Sequence, residues 1–183
     1  MFIDLLRTRR SIRRFQDRPV EQGKIDLLIE AMLRAPSSRS LNPWEFVVVT
    51  EKETVVRLSQ AKPHGASFLK NAPLAIVVCA DPTKCDVWVE DCSIAAILLH
   101  LAATDLGLGS CWVQIRLREH DALQMAQDYV AELLGLPEGM VVEAIIAMGY
   151  PAEQQPGHPR ASLQDNKVSF ERYGQKEKGK NGS

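Results

Sequence analysis

The clearest periodic pattern in the chain begins at Gln22 and continues to Arg34. Five apolar side chains recur there every three or four positions: Ile25, Leu28, Ile29, Met32 and Leu33. This spacing puts them on one face of a helix. Weaker or longer helical patterns cover four other segments: 4–9, 51–61, 86–106 and 119–134. Within 86–106, the part from Ser93 to Ala103 is apolar nearly all round, which predicts the central core helix.

Four short apolar runs, several of them rich in β-branched residues, predict buried strands at 44–50, 73–80, 110–115 and 140–148. Helices and strands alternate without a regular crossover after every strand. This order favours an α+β fold over a doubly wound sheet. We therefore predict a single domain over residues 1–174.

The chain changes character after Gly149. It becomes polar, carries Pro151, Pro156 and Pro159, and loses any helical stripe. We interpret 149–174 as an extended arm that runs over a surface, and we expect Gln175–Ser183 to be disordered.

Composition excludes several classes of function. Of 183 residues, 45% are apolar and 25% charged, and the formal net charge is −1, so no global field attracts nucleic acid or an anionic membrane. The first residues lack the apolar region of a signal peptide. The longest apolar stretch, 94–101, is interrupted by His100 and is too short to span a bilayer. These features predict a cytoplasmic protein that binds neither nucleic acid nor membrane.

The four cysteines are Cys79, Cys85, Cys92 and Cys111. None of them forms a CxxC pair, so we interpret them as reduced and mostly core residues. The alternative, a metal or cluster site at Cys85 and Cys92, lacks nearby histidines or further cysteines. No metal is expected.

An arginine cluster near the start is the first feature that suggests binding chemistry. Its five arginines, Arg7, Arg9, Arg10, Arg13 and Arg14, surround Ser11. If the segment is extended, Arg9, Ser11 and Arg13 point the same way and could grip a phosphate. A solvated basic face or a nucleic-acid patch is the alternative.

Three further segments could contribute donors or close backbone contacts. The loop 36–42 holds several hydroxyls, Arg39 and Asn42, although an ordinary turn explains it equally well. The segment 109–112 follows a buried helix, and its glycine allows close backbone approach. We expect the Trp112 ring to lie in the core. Arg160, which follows Pro156 and Pro159 in the arm, is an anion clamp or a solvated arginine.

No side-chain catalyst is apparent. The sequence contains no GxSxG, no HExxH and no Walker A motif, and its four histidines are scattered. His100, within the core helix, is expected to be a satisfied core residue rather than a base. Anion-binding parts without a side-chain catalyst favour chemistry performed by a cofactor.

Four motifs in this order resemble the nitroreductase family over about Phe2 to Gly174. They are the arginine-rich turn at 9–15, Ala-Pro-Ser with a later Pro-Trp at 35–44, Gly-Leu-Gly with a later Cys-Trp at 107–112, and Gly-Tyr-Pro at 149–151 with a basic residue downstream. The resemblance implies a three-layer α-β-α sandwich with a central mixed sheet. It also implies a homodimer that exchanges its C-terminal arms, with FMN in each of two interface clefts.

The resemblance also assigns site residues, and none of them is catalytic because the flavin performs the chemistry. Arg9, Ser11 and Arg160 would hold the FMN phosphate. Arg10 and Arg13 would lie near the phosphate or ring, with Arg13 at the pyrimidine edge as a stabiliser of charge at N1–O2. The remaining implied contacts are Ser37, Ser38 and Arg39 from the partner subunit, Asn42 in place of a frequent Gln, the backbone of Cys111 and Trp112, and Gly149.

The resemblance implies a ping-pong reaction. NADH or NADPH would reduce flavin N5, and a small-molecule acceptor such as a nitroaromatic or quinone would then take the electrons. Two alternatives remain: an FMN-binding electron carrier or sensor without efficient NAD(P)H turnover, and a reductive dehalogenase-type member of the same fold.

The sequence departs from the family pattern in two ways. His158 replaces a frequent Lys or Arg, which predicts weaker or pH-sensitive phosphate binding. The chain is also short and has little room for a lid.

Overall fold

The computed structural model describes residues 1–176, in which five helices and four strands form. The helices are α1 (Phe2–Thr8), α2 (Gln22–Leu33), α3 (Lys52–Leu58), α4 (Trp88–Asp105) and α5 (Ala126–Leu134). The strands are β1 (Trp44–Val49), β2 (Leu74–Ala80), β3 (Gly109–Gln114) and β4 (Val141–Gly149). Every helix and strand expected from the pattern is therefore present, with shifted ends.

The largest shift is at α5, which begins at Ala126 rather than at Glu119. The Asp121 carboxylate accepts the backbone N–H groups of Leu123 at 2.7 Å and Gln124 at 3.0 Å. The backbone of His120 also donates to the carbonyl of Gln124. These bonds close a tight turn, because an aspartate at this position competes with the helix for backbone donors.

The sheet has the strand order β1-β2-β4-β3, and all of its strand pairs are antiparallel. The expectation of a mixed sheet is therefore wrong for the described chain, in which the parallel pairing is the single bridge from Ser11 to Ser110. A seven-residue helix such as α3 rises only about 10 Å, which is too short to carry the chain back along a strand. The 18-residue α4 does return the chain, but β4 then inserts between β2 and β3.

Helices cover both faces of the sheet, so the three-layer α-β-α arrangement is confirmed. Along β2, Ala75, Val77 and Cys79 face a core completed by α3 and α5. The alternate positions, including Leu74 and Ile76, face a second core completed by α2 and α4. The strand is buried on both faces, as its continuous apolar sequence predicts.

Beyond β4 the chain forms turns, short 3₁₀ segments and a bridge from Pro151 to Phe15 up to residue 176, and its role as an arm that wraps a partner stays a prediction. Gln175 and Lys176 are exposed, and the rest of the predicted disordered tail lies outside the described residues. Among the helices of residues 1–176, none combines the length and the apolar character needed to cross a membrane.

Candidate anion and cofactor site

The arginine-rich segment lies in extended conformation between the ends of β3 and β4. The backbone N–H of Ile12 donates to the carbonyl of Ser110 at 2.9 Å, and that of Gln16 donates to the carbonyl of Tyr150 at 2.8 Å. Gly109 permits this approach, since a Cβ there would lie 2.8 Å from the Ile12 side chain. The glycine after the buried helix therefore serves close backbone packing, as its position predicted.

Extended backbone directs alternate side chains to one side, and a cavity of about 320 Å³ opens on that side. Its lining residues are Arg9, Arg10, Ser11, Arg13, Glu153, Gln155 and His158. Arg9, Ser11 and Arg13 share this cavity, as the alternation predicted. Arg10 lines it too, held by a hydrogen bond from its guanidinium to the carbonyl of Pro156 in the arm. The adjacent Arg14 does not line it.

The arm supplies two cavity residues that the sequence interpretation missed, Glu153 and Gln155. The Glu153 carboxylate accepts the backbone N–H groups of Arg13 at 2.7 Å and Arg14 at 3.2 Å. These bonds hold the pKa of Glu153 below its usual range, and the bond from Arg13 has the largest effect. No local signal nominates an acid for an anion site; only its position just after Gly149-Tyr150-Pro151 could have directed attention to it.

His158 also faces this cavity, whereas Arg160 does not. The Arg160 guanidinium instead contacts the Asp165 carboxylate at 2.7 and 3.0 Å, and both side chains are largely exposed. Its proposed contact with a phosphate stays a prediction.

Two buried titratable groups, Cys111 and His100, lie behind the arginine-rich segment. The Cys111 thiol is buried, which raises its pKa, while the charge of Arg13 and a hydrogen bond with Ser11 act in the opposite direction. His100 Nδ1 lies 2.7 Å from Ser110 Oγ, and burial, followed by the charge of Arg9, lowers the pKa of His100 to about 4. His100 is thus a neutral, satisfied core residue, as predicted.

Trp112 in β3 and Gly149 at the end of β4 have structural roles in the neighbouring sheet. The Trp112 ring packs against the α2/α4 core, and its Nε1 donates to Gln114 Oε1 at 2.9 Å. A Cβ at Gly149 would lie 2.5 Å from the Pro73 ring, so only glycine lets the chain pass there into the arm.

The loop after α2 lies apart from the cavity of its own chain. None of Ser37, Ser38, Arg39 and Asn42 is among the residues that line it. Ser37 Oγ donates to Asn42 Oδ1 at 2.6 Å and accepts the Asn42 backbone N–H at 3.0 Å. The loop is held in a demanding conformation, with positive φ angles at Arg39, Ser40 and Asn42.

Two acids at the start of α4 anchor this loop. The buried Asp91 carboxylate accepts the backbone N–H of Ser38 at 2.8 Å and the Cys85 thiol at 3.4 Å. The Arg39 guanidinium forms an ion pair with Asp86. The loop is therefore tied to the residues around the start of α4, while residues 39–42 are exposed.

Three arginines and one acid give the cavity an excess of positive charge, although the whole chain carries a net charge of −1. Guanidinium groups with a hydroxyl between them match the oxygens of a phosphate. The donor set therefore fits the phosphate end of a phosphorylated cofactor. All four cysteines are free and buried, and among residues 1–176 no three potential ligands cluster closely enough to hold a metal.

Comparison with known proteins points to one family. The sequence model of the Nitroreductase family matches residues 6–64 and 52–150. The solved structure of an FMN-dependent nitroreductase from Clostridium difficile R20291 is 47% identical, with a TM-score of 0.92 over 93% of this chain and 99% of that one. The FMN reductase [NAD(P)H] of Bacillus subtilis is 27% identical over 86% of this chain and 69% of its own. The NADPH:FMN oxidoreductase of Vibrio harveyi, complexed with NAD+, is 27% identical with a TM-score of 0.78, over 94% of this chain and 77% of that one.

Proposed function

The chain belongs to the nitroreductase family, and on that premise we propose that it is an FMN-dependent NAD(P)H oxidoreductase. The observation that carries the proposal is the cavity that gathers Arg9, Arg10, Ser11 and Arg13 against the arm. Relatives whose names specify FMN and a nicotinamide nucleotide support it. The acceptor we propose is a nitroaromatic or quinone, reduced in a ping-pong reaction.

In this proposal the residues bind and orient the cofactor. Arg9, Arg10 and Ser11 bind the phosphate, and Arg160 joins them by exchanging Asp165 for it. When bound, FMN would supply the redox chemistry, which is acceptance of a hydride from the nicotinamide and transfer of the electrons to the acceptor. Arg13 contributes positive charge beside the pyrimidine edge, in the manner of preorganised electrostatic stabilisation. The backbone of Cys111 and Trp112, and Gly149 beside it, line the ring side.

We further propose that the functional unit is a homodimer in which each loop 37–42 completes the partner's site and each arm packs on the partner. The loop is held by Asp91 and Asp86, yet none of its residues lines the cavity of its own chain. The arm leaves Leu163, Val168, Phe170 and Tyr173 more than 40% exposed, and α4 leaves Ile94 and Ile97 similarly open. Exposed apolar surface of this extent is typical of an interface.

A titration of matched arginine variants with FMN tests the proposal. Arg13→Met and Arg14→Met remove the same charge from adjacent positions, but only Arg13 lines the cavity. We expect Arg13→Met to raise the dissociation constant for FMN about tenfold or more, the worth of one charge-assisted contact, and Arg14→Met to leave it within about twofold. Equal effects, or no FMN binding by the unmodified protein, would contradict the proposal.

A further inference from the structure

A second cationic cavity lies between the loop after α3 and the loop after β3. Its volume is about 480 Å³, and its lining residues are Lys62, Pro63, His64, Leu117, Arg118 and Glu119. None of these residues belongs to the arginine-rich segment or to the arm. The proposed cofactor contacts leave this cavity without a role.

Two cations are held in this cavity without a counter-ion. Lys62 is half-buried, and among residues 1–176 its ammonium makes no hydrogen bond or ion pair. Burial lowers the pKa of Lys62, and the charge of Arg118 adds to that effect. Arg118 is exposed, and among residues 1–176 its guanidinium makes a single hydrogen bond, to the carbonyl of Leu117 at 3.2 Å. Glu119 lines the same space but forms no ion pair with either cation within the described chain.

The two loops are fixed relative to each other, so the juxtaposition of Lys62 and Arg118 is preorganised. His120 Nδ1 lies 3.2 Å from the carbonyl of Ala61, directly before Lys62. The His120 ring stacks on Tyr129 of α5 with 4.1 Å between centroids. The backbone of Arg118 donates to Ile115 and accepts from Ala126. The half-buried ammonium of Lys62 beside the guanidinium of Arg118 is therefore stabilised by an anion that joins the two.

The second cavity adjoins the proposed flavin site. Arg13 lines the first cavity, and its guanidinium lies 5.8 Å from the centroid of the Phe68 ring, which belongs to the same α3–β2 loop as Lys62. A substrate that extends from the flavin ring past Arg13 and Phe68 would run towards Lys62 and Arg118.

We propose that Lys62 and Arg118 form an anion subsite for a phosphate or carboxylate group carried by a substrate bound at the flavin. This inference rests on the proposed function. Two substrates carry an anionic group of this kind: the nicotinamide donor through its phosphates, and an acceptor through a carboxylate. The size of the cavity accommodates either group.

Equilibrium titrations of FMN-loaded protein, followed by flavin absorption, test the subsite without turnover. The ligands are NADP+, NAD+, benzoate and benzyl alcohol, and the variants are Lys62→Met and Arg118→Met. Lys70→Met is the matched control, because Lys70 lies exposed in the same loop and outside the cavity. If binding weakens about tenfold for NADP+ alone, the subsite holds the 2′-phosphate of the donor. If it weakens for both NADP+ and NAD+, the subsite holds the donor's diphosphate. If it weakens for benzoate but not for benzyl alcohol, the subsite holds the carboxylate of the acceptor.

Each of these three patterns supports the subsite. Changes within about twofold for all four ligands, or an equal effect of Lys70→Met, would overturn it while leaving the proposed function intact. Failure of the unmodified protein to bind FMN overturns both together. Flavin binding by each variant, measured first, therefore separates the two failures.

Discussion

The Glu153 carboxylate accepts a hydrogen bond of 2.7 Å from the backbone N–H of Arg13, across 140 positions of sequence. The bond ties the start of the arm to the segment that carries the arginine cluster. It also places an acid among the cations of an anion cavity. Glu153 therefore positions the segment that carries the arginines, while its own negative charge opposes the binding of an anion.

Separating position from charge gives a prediction for Glu153. Glu153→Ala removes the acceptor and should raise the dissociation constant for FMN about tenfold, the worth of a hydrogen bond to a charged group. Glu153→Gln keeps an acceptor oxygen and removes the negative charge, so FMN binding should stay the same or tighten. Flavin fluorescence titration measures both, and an equal loss in the two variants would show that the negative charge itself is required.

Asp91 should act through the loop it anchors. Asp91→Ala removes the buried acceptor of the Ser38 N–H and the Cys85 thiol, which should lower the free energy of unfolding by about 2 kcal/mol. If the partner's loop completes the site, FMN binding should weaken as well. Asp105→Ala, at an exposed position near the other end of the same helix, serves as the control for urea denaturation and FMN titration. Unchanged FMN affinity in a folded Asp91→Ala protein would argue against a role of the loop in the site.

His100 should make stability depend on pH. Its pKa is about 4 in the folded chain, against about 6.5 in the unfolded chain, so the unfolded state binds more protons between these values. The contribution is fully present above pH 6.5 and is lost as the pH falls towards 4, by up to about 3 kcal/mol. Urea denaturation of FMN-free protein should therefore show a steeper decline for the unmodified chain than for His100→Gln. Parallel pH profiles would contradict this prediction, and His64→Gln, exposed, should match the unmodified chain.

Substitution of Arg160 tests whether the arm rearranges when the cofactor binds. The exposed ion pair between Arg160 and Asp165 is weakened by solvent screening, so exchanging Asp165 for a phosphate costs little. Arg160→Met should raise the dissociation constant for FMN about threefold, less than Arg9→Met, because Arg160 must leave Asp165 first. An unchanged affinity would remove Arg160 from the site.

Much of the fold was accessible from local pattern. The strands are apolar runs and the core helix is apolar all round, so burial alone identifies them. The sheet direction was not accessible, because it depends on β4 inserting between β2 and β3 after α5. The start of α5 was misjudged because Asp121 binds its own backbone, a side-chain effect that apolar periodicity does not register.

The site was partly accessible for a similar reason. Alternation along an extended segment predicted that Arg9, Ser11 and Arg13 point the same way, and all three line one cavity, but Arg10 lines it as well. Glu153 and Lys62 escaped notice because their roles depend on contacts with residues distant in sequence. Such partners become visible only in the folded chain.

The most direct test of an FMN-dependent NAD(P)H oxidoreductase is the absorption spectrum of the purified, FMN-loaded protein before and after anaerobic addition of NADPH and then NADH. We predict flavin bands that bleach with at least one donor and return when a nitroaromatic or quinone is added. Flavin bands that persist with both donors would contradict the proposed activity and favour an electron carrier or sensor. A protein that remains colourless after incubation with FMN would contradict the cofactor itself.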